Sequence, residues 1–388
     1  MNIQGNDHLA HLKALLPELA DEARERAEEF ERGRRISLDY VAKLKAAGAY
    51  RILVAREQGG LGGTLRDWLD MATTLAEADA STGWTCGHGA VCSGLIANIA
   101  DPNFVERFFA DPNNSAAWSN LPRVTANEEA DGLRITGRWA FETGCTAANY
   151  VGGMLSHPGA PTDGPALLVV ALAPIEEARI DETWDPIGLA GTGSHEVVFE
   201  DVFVPWERIF KWPETKPTTK LATSVYAPGT WFISMCAAAT HLGLARRALD
   251  EARNELHGKK DRFTGNPLIE MQSVLETLEE AEGLLLACRA GVEQTFDAIN
   301  ECGLRGEVLG ADLRLRARLT CATAVHQGEK IVRSAYGVAG ASAVRRAGVM
   351  QRLYRDASCL IHHVSVNRKS FEMVGRCRIG VDELSDFI

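Results

Sequence analysis

GLAGTGSHEVVFEDVFVP, residues 188–205, is a glycine-rich turn that runs straight into a strand. The turn spans Gly188 to Ser194. Val197 and Phe199, then Val202 and Val204, alternate with the period of two that a half-buried strand requires. The turn does not cradle a dinucleotide. Gly191 and Gly193 are followed by Ser194, His195 and Glu196, which breaks the G-x-G-x-x-G spacing. It also leads into a strand, not a helix whose N-terminus could hold a phosphate.

Working outward, the same period holds from about 116 to 212. GLRITGRWAF, YVGGMLSH and PALLVVALAPI read as further strands, separated by Gly, Pro and Asp turns. On both sides the period becomes helical. Upstream, residues 7 to about 110 carry Leu12, Leu15, Leu16, Leu19 and Ala23 at helical spacing, then the charged face ARERAEEFERGRR. Ser37 precedes a second helix that Gly48 closes, and EQGGLGGT (57–64) is a turn. A long, small-residue helical region follows, with a break expected near Gly83. Downstream, beyond the Pro/Thr/Lys-rich KWPETKPTTK, one broad apolar stripe runs through Met271, Val274, Leu275, Leu278, Leu285, Val292 and Phe296. Two further helical stretches, 313–337 and 351–375, complete a predicted four-helix bundle. The expected division is a helical domain over 1–115, a β domain over 116–215 and a helical bundle over 216–388, an α+β chain.

Composition narrows the class. With 388 residues and a formal net charge of -11, the chain lacks the basic surface that nucleic acid demands. No uninterrupted apolar run reaches the roughly 18 residues of a membrane span, and the N-terminus has no signal-peptide pattern. Nine cysteines without a C-x-x-C pair read as reduced thiols in a cytoplasmic protein. No ligand spacing for a metal is present.

Three stretches together resemble the acyl-CoA dehydrogenase superfamily over nearly the whole chain. GLAGTGSHEVVFEDVFVP is similar to its G-x-x-G-[ST]-x-[ST] turn and the strand ending F-x-x-V-x-V-P. RFTGNPLIEMQ (262–272) is similar to its R-x-F-G-x-P-L-x-x-x-Q, and YGVAGASAV (336–344) to its C-terminal glycine loop. The resemblance implies an N-terminal helical domain, a middle β-barrel-like domain and a C-terminal four-helix bundle, assembled as a homotetramer with a flavin between the β domain and the bundle. Trp118, Ser119, Thr143, Gly144, Thr192, Ser194, Arg262, Gln272 and Gly340 are then the candidate flavin contacts. Arg262 would face a phosphate, and Gly340 would approach an adenine if FAD rather than FMN is bound. Thr143 would offer its hydroxyl, and Gly144 its backbone N–H, to the N5/O4 edge of the ring.

One departure points to the chemistry. Dehydrogenases of this family commonly carry a Glu base in R-D-x7-E-G. Here Arg355 and Asp356 are in place, but Val364 and Ser365 stand where Glu-Gly belongs. A subgroup without that Glu is the two-component flavin-dependent monooxygenases, similar to hydroxyphenylacetate hydroxylase and dibenzothiophene monooxygenase. These use reduced FMN or FAD from a separate NAD(P)H:flavin reductase and O2, through a C4a-(hydro)peroxyflavin, to hydroxylate an aromatic or heteroaromatic small molecule. The likeness implies His88, His363 and Thr143 as catalytic residues, with Trp84, His88 and His363 around the substrate. His363 falls seven residues after Asp356; on a continuous helix His362 would point about 100° away. A histidine near the flavin would take a phenol or indole proton, because imidazole titrates near working pH. The bland alternatives are that His88 is a satisfied core histidine and that His362 and His363 are a surface pair. The competing function is an acyl-CoA dehydrogenase or oxidase with a relocated base.

Overall fold

The computed structural model describes residues 6–160, 167–212 and 231–383. Five helices come first: α1 (Asn6–Gly33), α2 (Leu38–Ala46), α3 (Leu65–Ala78), α4 (Ala80–Ile99) and α5 (Pro102–Ala110). The expected break at Gly83 falls instead at Asp79. Its extended backbone ends α3, and its carboxylate caps α4 by accepting from Thr82 N at 2.8 Å. Gly83 is helical, and its lack of a side chain serves packing: a Cβ there would lie 2.4 Å from Ala76 Cβ. Every residue of α4 is buried. Its small residues let neighbouring elements approach on all sides; a Cβ on Gly89 would meet the Tyr50 ring at 2.4 Å.

The middle region is two antiparallel sheets. One orders β1 (Pro122–Glu129), β2 (Gly132–Glu142), β6 (His195–Pro205) and β5 (Arg179–Asp181) side by side. The other contains β3 (Tyr150–Ser156), β4 (Leu168–Pro174) and β7 (Ile209–Trp212) in that order. Inward residues of both sheets, among them Ile135, Trp139, Val151, Val169, Val197 and Phe199, form a core of their own. Trp139 bridges the sheets, donating from Nε1 to Met154 O at 2.8 Å. The β2–β6 register shifts at 135–137 and again at 139–142, the irregularity of β-bulges.

Four helices build the C-terminal bundle: α6 (Trp231–Leu256), α7 (Gln272–Leu304), α8 (Ala311–Ala339) and α9 (Val349–Leu360), with α10 (Lys369–Arg378) beyond them. Alanines on α6 and two glycines set the spacing. A Cβ on Gly243 would lie 2.6 Å from Thr73 O on α3, and one on Gly328 would lie 2.9 Å from His241 Cβ. His241 links α6 to α9 by its hydrogen bond to Ala357 O, 3.2 Å. Leu278, Leu285, Val292 and Phe296 of the expected stripe are buried, but Leu275 is exposed. The single stretch expected over 351–375 is divided: residues 361–368 are turns between α9 and α10. The expected boundary at 215/216 lies outside the described residues.

Candidate active site

The turn that opened the sequence reading, together with its upstream neighbours, forms one wall of a cavity of about 620 Å3. Trp184, Ile187, Leu189, Thr192 and Ser194 come from this segment. Phe141 and Thr143 come from the end of β2, Trp84 from α4, and Cys359, His362 and His363 from α9 and the turns after it. The cavity thus lies where all three parts of the chain meet. No Asp, Glu, Lys or Arg lines it among the described residues.

The turn is held from behind. Leu189, in the left-handed region at φ 57°, donates its N–H to buried Asp356 Oδ1 at 2.6 Å. Arg355 Nη1 donates to Ile187 O at 2.7 Å. Gly188 fits against α9 because a Cβ would fall 2.4 Å from Arg355 O. The Trp184 indole closes the loop on itself, donating to Leu189 O at 3.1 Å. Phe141, also at positive φ, meets Trp184 edge-on at 5.8 Å. Phe141 (58% exposed), Ile187 (68%) and Val364 (62%) form an apolar rim.

Thr143, Thr192 and Ser194 are brought together as expected. Trp84 Nε1 donates to Thr143 Oγ at 3.0 Å. Thr143 and Ser194 hydroxyls are 3.0 Å apart, and those of Ser194 and Thr192 2.9 Å. Thr192 Oγ donates to Leu189 O at 2.8 Å. Gly144 has the left-handed φ of 72° that glycine tolerates. Its N–H is donated to Thr192 O at 3.0 Å, so it joins the two turns and does not offer itself to a ligand, contrary to the sequence expectation.

His363 faces the cavity and meets Trp84 edge-on at 5.4 Å. Its Nδ1 accepts from the Ser365 hydroxyl at 2.8 Å and from Ser365 N at 3.3 Å, so the ring proton resides on Nε2. His362 also lines the cavity; it lies past the end of α9, so the helical angle that separated it from His363 does not apply. Burial first, then nearby His88 and Arg318, push His363 down to about 4. The ring is neutral at working pH, not poised near it as the sequence reading expected. Burial likewise holds His88 at about 4.

Other candidates lie elsewhere. His88 is one helical turn behind Trp84, with Nδ1 3.6 Å from Cys92 Sγ, and is not on the cavity surface. Trp118 is buried against Phe210, and the Ser119 hydroxyl donates to Ala140 O at 2.6 Å; neither reaches the cavity. Arg262 and Gln272 are exposed, and so is Gly340, whose φ of 71° and ψ of -151° only glycine adopts readily. The segments bearing them adjoin, since Lys259 Nζ donates to Ala339 O at 3.1 Å, but neither segment contributes to the cavity of its own chain. Asp356, Trp184, Phe141 and Leu189 were not singled out as site residues. Two of them had a signal: Asp356 stands in the Arg-Asp pair of the family motif, and Trp184 is a large aromatic at the head of the glycine turn.

Helices around a two-sheet middle region, with a cavity at their junction, define an acyl-CoA dehydrogenase fold. Residues 7–111 match the acyl-CoA dehydrogenase N-terminal domain and residues 235–368 the acyl-CoA dehydrogenase C-terminal domain. Indole-3-acetate monooxygenase of Pseudomonas putida is 30% identical, covering 95% of this chain and 94% of that protein. The oxygenase component of the FADH2-dependent resorcinol hydroxylase of Rhizobium sp. is 27% identical, covering 94% and 93%. The crystal structure of 3-HSA hydroxylase from Rhodococcus sp. RHA1 superposes with a TM-score of 0.85 at 25% identity, covering 98% of each chain. The chain belongs to the acyl-CoA dehydrogenase family, among its flavin-dependent monooxygenase members.

Proposed function

We propose that this protein is the oxygenase component of a two-component monooxygenase, which takes reduced FMN or FAD from a separate reductase and hydroxylates an uncharged aromatic or heteroaromatic ring. The observation that carries the reading is the cavity: apolar, free of lining carboxylates among the described residues, with three hydroxyls on one wall and a neutral histidine on another. A flat flavin ring and a flat substrate fit a space of about 620 Å3 with these walls. Bound reduced flavin would supply the electrons that activate O2. Thr143 and Ser194 would hold its polar edge. His363, with its proton on Nε2, would donate a hydrogen bond toward the reacting oxygen, and Trp84 keeps that ring in place. The rim of Phe141, Ile187 and Val364 would shed water as the substrate enters, which limits wasteful release of H2O2.

The dehydrogenase alternative needs a carboxylate base. Asp356 fastens the turn from behind, and its Oδ1 is engaged by Leu189 N. Arg262, Gln272 and Gly340 are read as contacts to the flavin of a neighbouring subunit in a homotetramer, since they lie away from their own cavity. The exposed apolar residues near them, Phe263 (95%) and Leu275, support such a contact. The same reading divides the chain at 115/116 and 215/216 and places the protein in the cytoplasm. The test is turnover with phenol or indole plus either flavin. Oxygenated product that appears only when the flavin is supplied reduced supports the reading. Reduction of bound oxidised flavin by an acyl-CoA would replace it with the dehydrogenase.

A further inference from the structure

A second cavity, of about 800 Å3, lies behind the turn that walls the active site. The charged face of α1 forms one side of it. Tyr336 of α8 and the segment from 344 into α9 form the other. The two cavities share no lining residue. One side chain joins them: Arg355 lines the second cavity, pairs with Glu31 of α1 at 2.6 Å, and donates to Ile187 O of the turn at 2.7 Å. The other arginines divide into two kinds. Arg32 is paired with Glu28 at 3.8 Å, and Arg24 with Asp21. Arg346 and Arg352 also line the cavity, and their side chains make no hydrogen bond or ion pair among the described residues. Arg352 is half-buried. Its charge opposes the effect of burial on two fully buried acids, Asp79 and Asp356, without an ion pair to either. A partly buried guanidinium with its N–H fork free is a ready contact for a planar anion.

We propose that this cavity is an effector site for a small aromatic carboxylate, whose carboxylate forks onto Arg352 and whose occupancy is felt at the active-site turn through Arg355. The ring has a wall to lie on: Tyr336 and Tyr354 face each other with centroids 4.7 Å apart and both line the cavity. The charge balance favours a monoanion. Glu25, Glu28 and Glu31 stand on the α1 side, where they repel a phosphate dianion more than a single carboxylate. The volume lies within the range of small-molecule sites. The active-site cavity offers such an acid nothing, because no Lys or Arg lines it among the described residues. An acid thus partitions to the second cavity, and an uncharged aromatic to the first. The existence of the acid site does not depend on the flavin reading above; its effect on flavin binding rests on that reading.

The test is calorimetric titration of the full-length protein with benzoate, its neutral counterpart benzamide, inorganic phosphate and AMP. Benzoate is expected to bind once per chain, and benzamide about tenfold more weakly or worse. Arg352→Ala should weaken benzoate by about tenfold or more, the size of a lost charge-assisted contact, and leave phenol binding unchanged. Arg352→Lys keeps the charge without the fork and should fall between the two. Thermal midpoints close to wild type in both variants separate this from misfolding. Saturating benzoate should shift the dissociation constant of reduced FMN severalfold, with reduced FMN shifting that of benzoate by the same factor. The shift should vanish in Arg352→Ala. Benzoate that does not bind, binds no better than benzamide, or is indifferent to Arg352→Ala would overturn the site. Competition between benzoate and phenol would overturn it too, by putting the acid in the active-site cavity. Tighter binding of phosphate or AMP would replace it with a phosphate site. Benzoate binding with the flavin constant unchanged would overturn the effector role. A protein that binds benzoate but no reduced flavin would overturn the flavin reading and leave the acid site standing.

Discussion

Leu189 N–H donates to Asp356 Oδ1 over 2.6 Å, so the turn that walls the cavity is fastened to α9 by a buried acid. Burial pushes that acid up to about 7, from an ordinary value of 3.8. An acid raised on folding holds its proton more tightly in the folded chain. Its contribution to stability is fully present below about pH 4 and is lost as pH rises toward 7. Asp356→Asn keeps an oxygen for Leu189 but does not titrate. The variant should gain stability relative to wild type as pH rises from 5 to 7.5, read as the difference in thermal midpoint. A difference that stays constant across that range would contradict the raised value. Asp356→Ala leaves the Leu189 N–H buried and unpaired, at a cost of about 1–3 kcal/mol at either pH.

His363 and His88 should separate in mutagenesis. His363→Ala is expected to lower hydroxylated product per flavin oxidised by about tenfold or more, with flavin affinity close to wild type. Because the ring is held near 4, the wild-type pH profile should show no histidine limb around 6.5.

His88→Ala should instead act through the core behind Trp84, with a loss of about 2–4 kcal/mol in stability and near-normal coupling in the folded protein. Coupling lost at an unchanged thermal midpoint would return His88 to the reaction.

Gly188→Ala places a Cβ 2.4 Å from Arg355 O, backbone that cannot swing aside. The turn must lift off α9, at about 1–3 kcal/mol, and flavin binding should weaken with it. Gly283→Ala in α7 is the control: nothing lies within 4 Å of its Cβ, so the exchange should be neutral or stabilising. Equal behaviour of the two would show that the Gly188 contact does not matter.

The three-part order, four of the strands and the cavity-lining Trp84, Thr143, Thr192, Ser194 and His363 were legible in the sequence. The order and the strands rest on period, and the five residues on the resemblance to the acyl-CoA dehydrogenase superfamily. The position of His88 was not legible, because α4 is buried on every side and its sequence carries no polar face to orient it. Asp79 hid the helix break, since the glycine at 83 looked like the breaker and the capping acid did not.

The central claim is that one atom of O2 enters an aromatic ring at this cavity. The most direct measurement is a single turnover of the protein with chemically reduced FMN or FAD, heavy-isotope O2 and indole or phenol, followed by mass analysis of the product. The account predicts one heavy oxygen in the product and none when the label is in water. Quantitative H2O2 with no oxygenated product from any uncharged aromatic, alongside flavin reduction by an acyl-CoA, would contradict it.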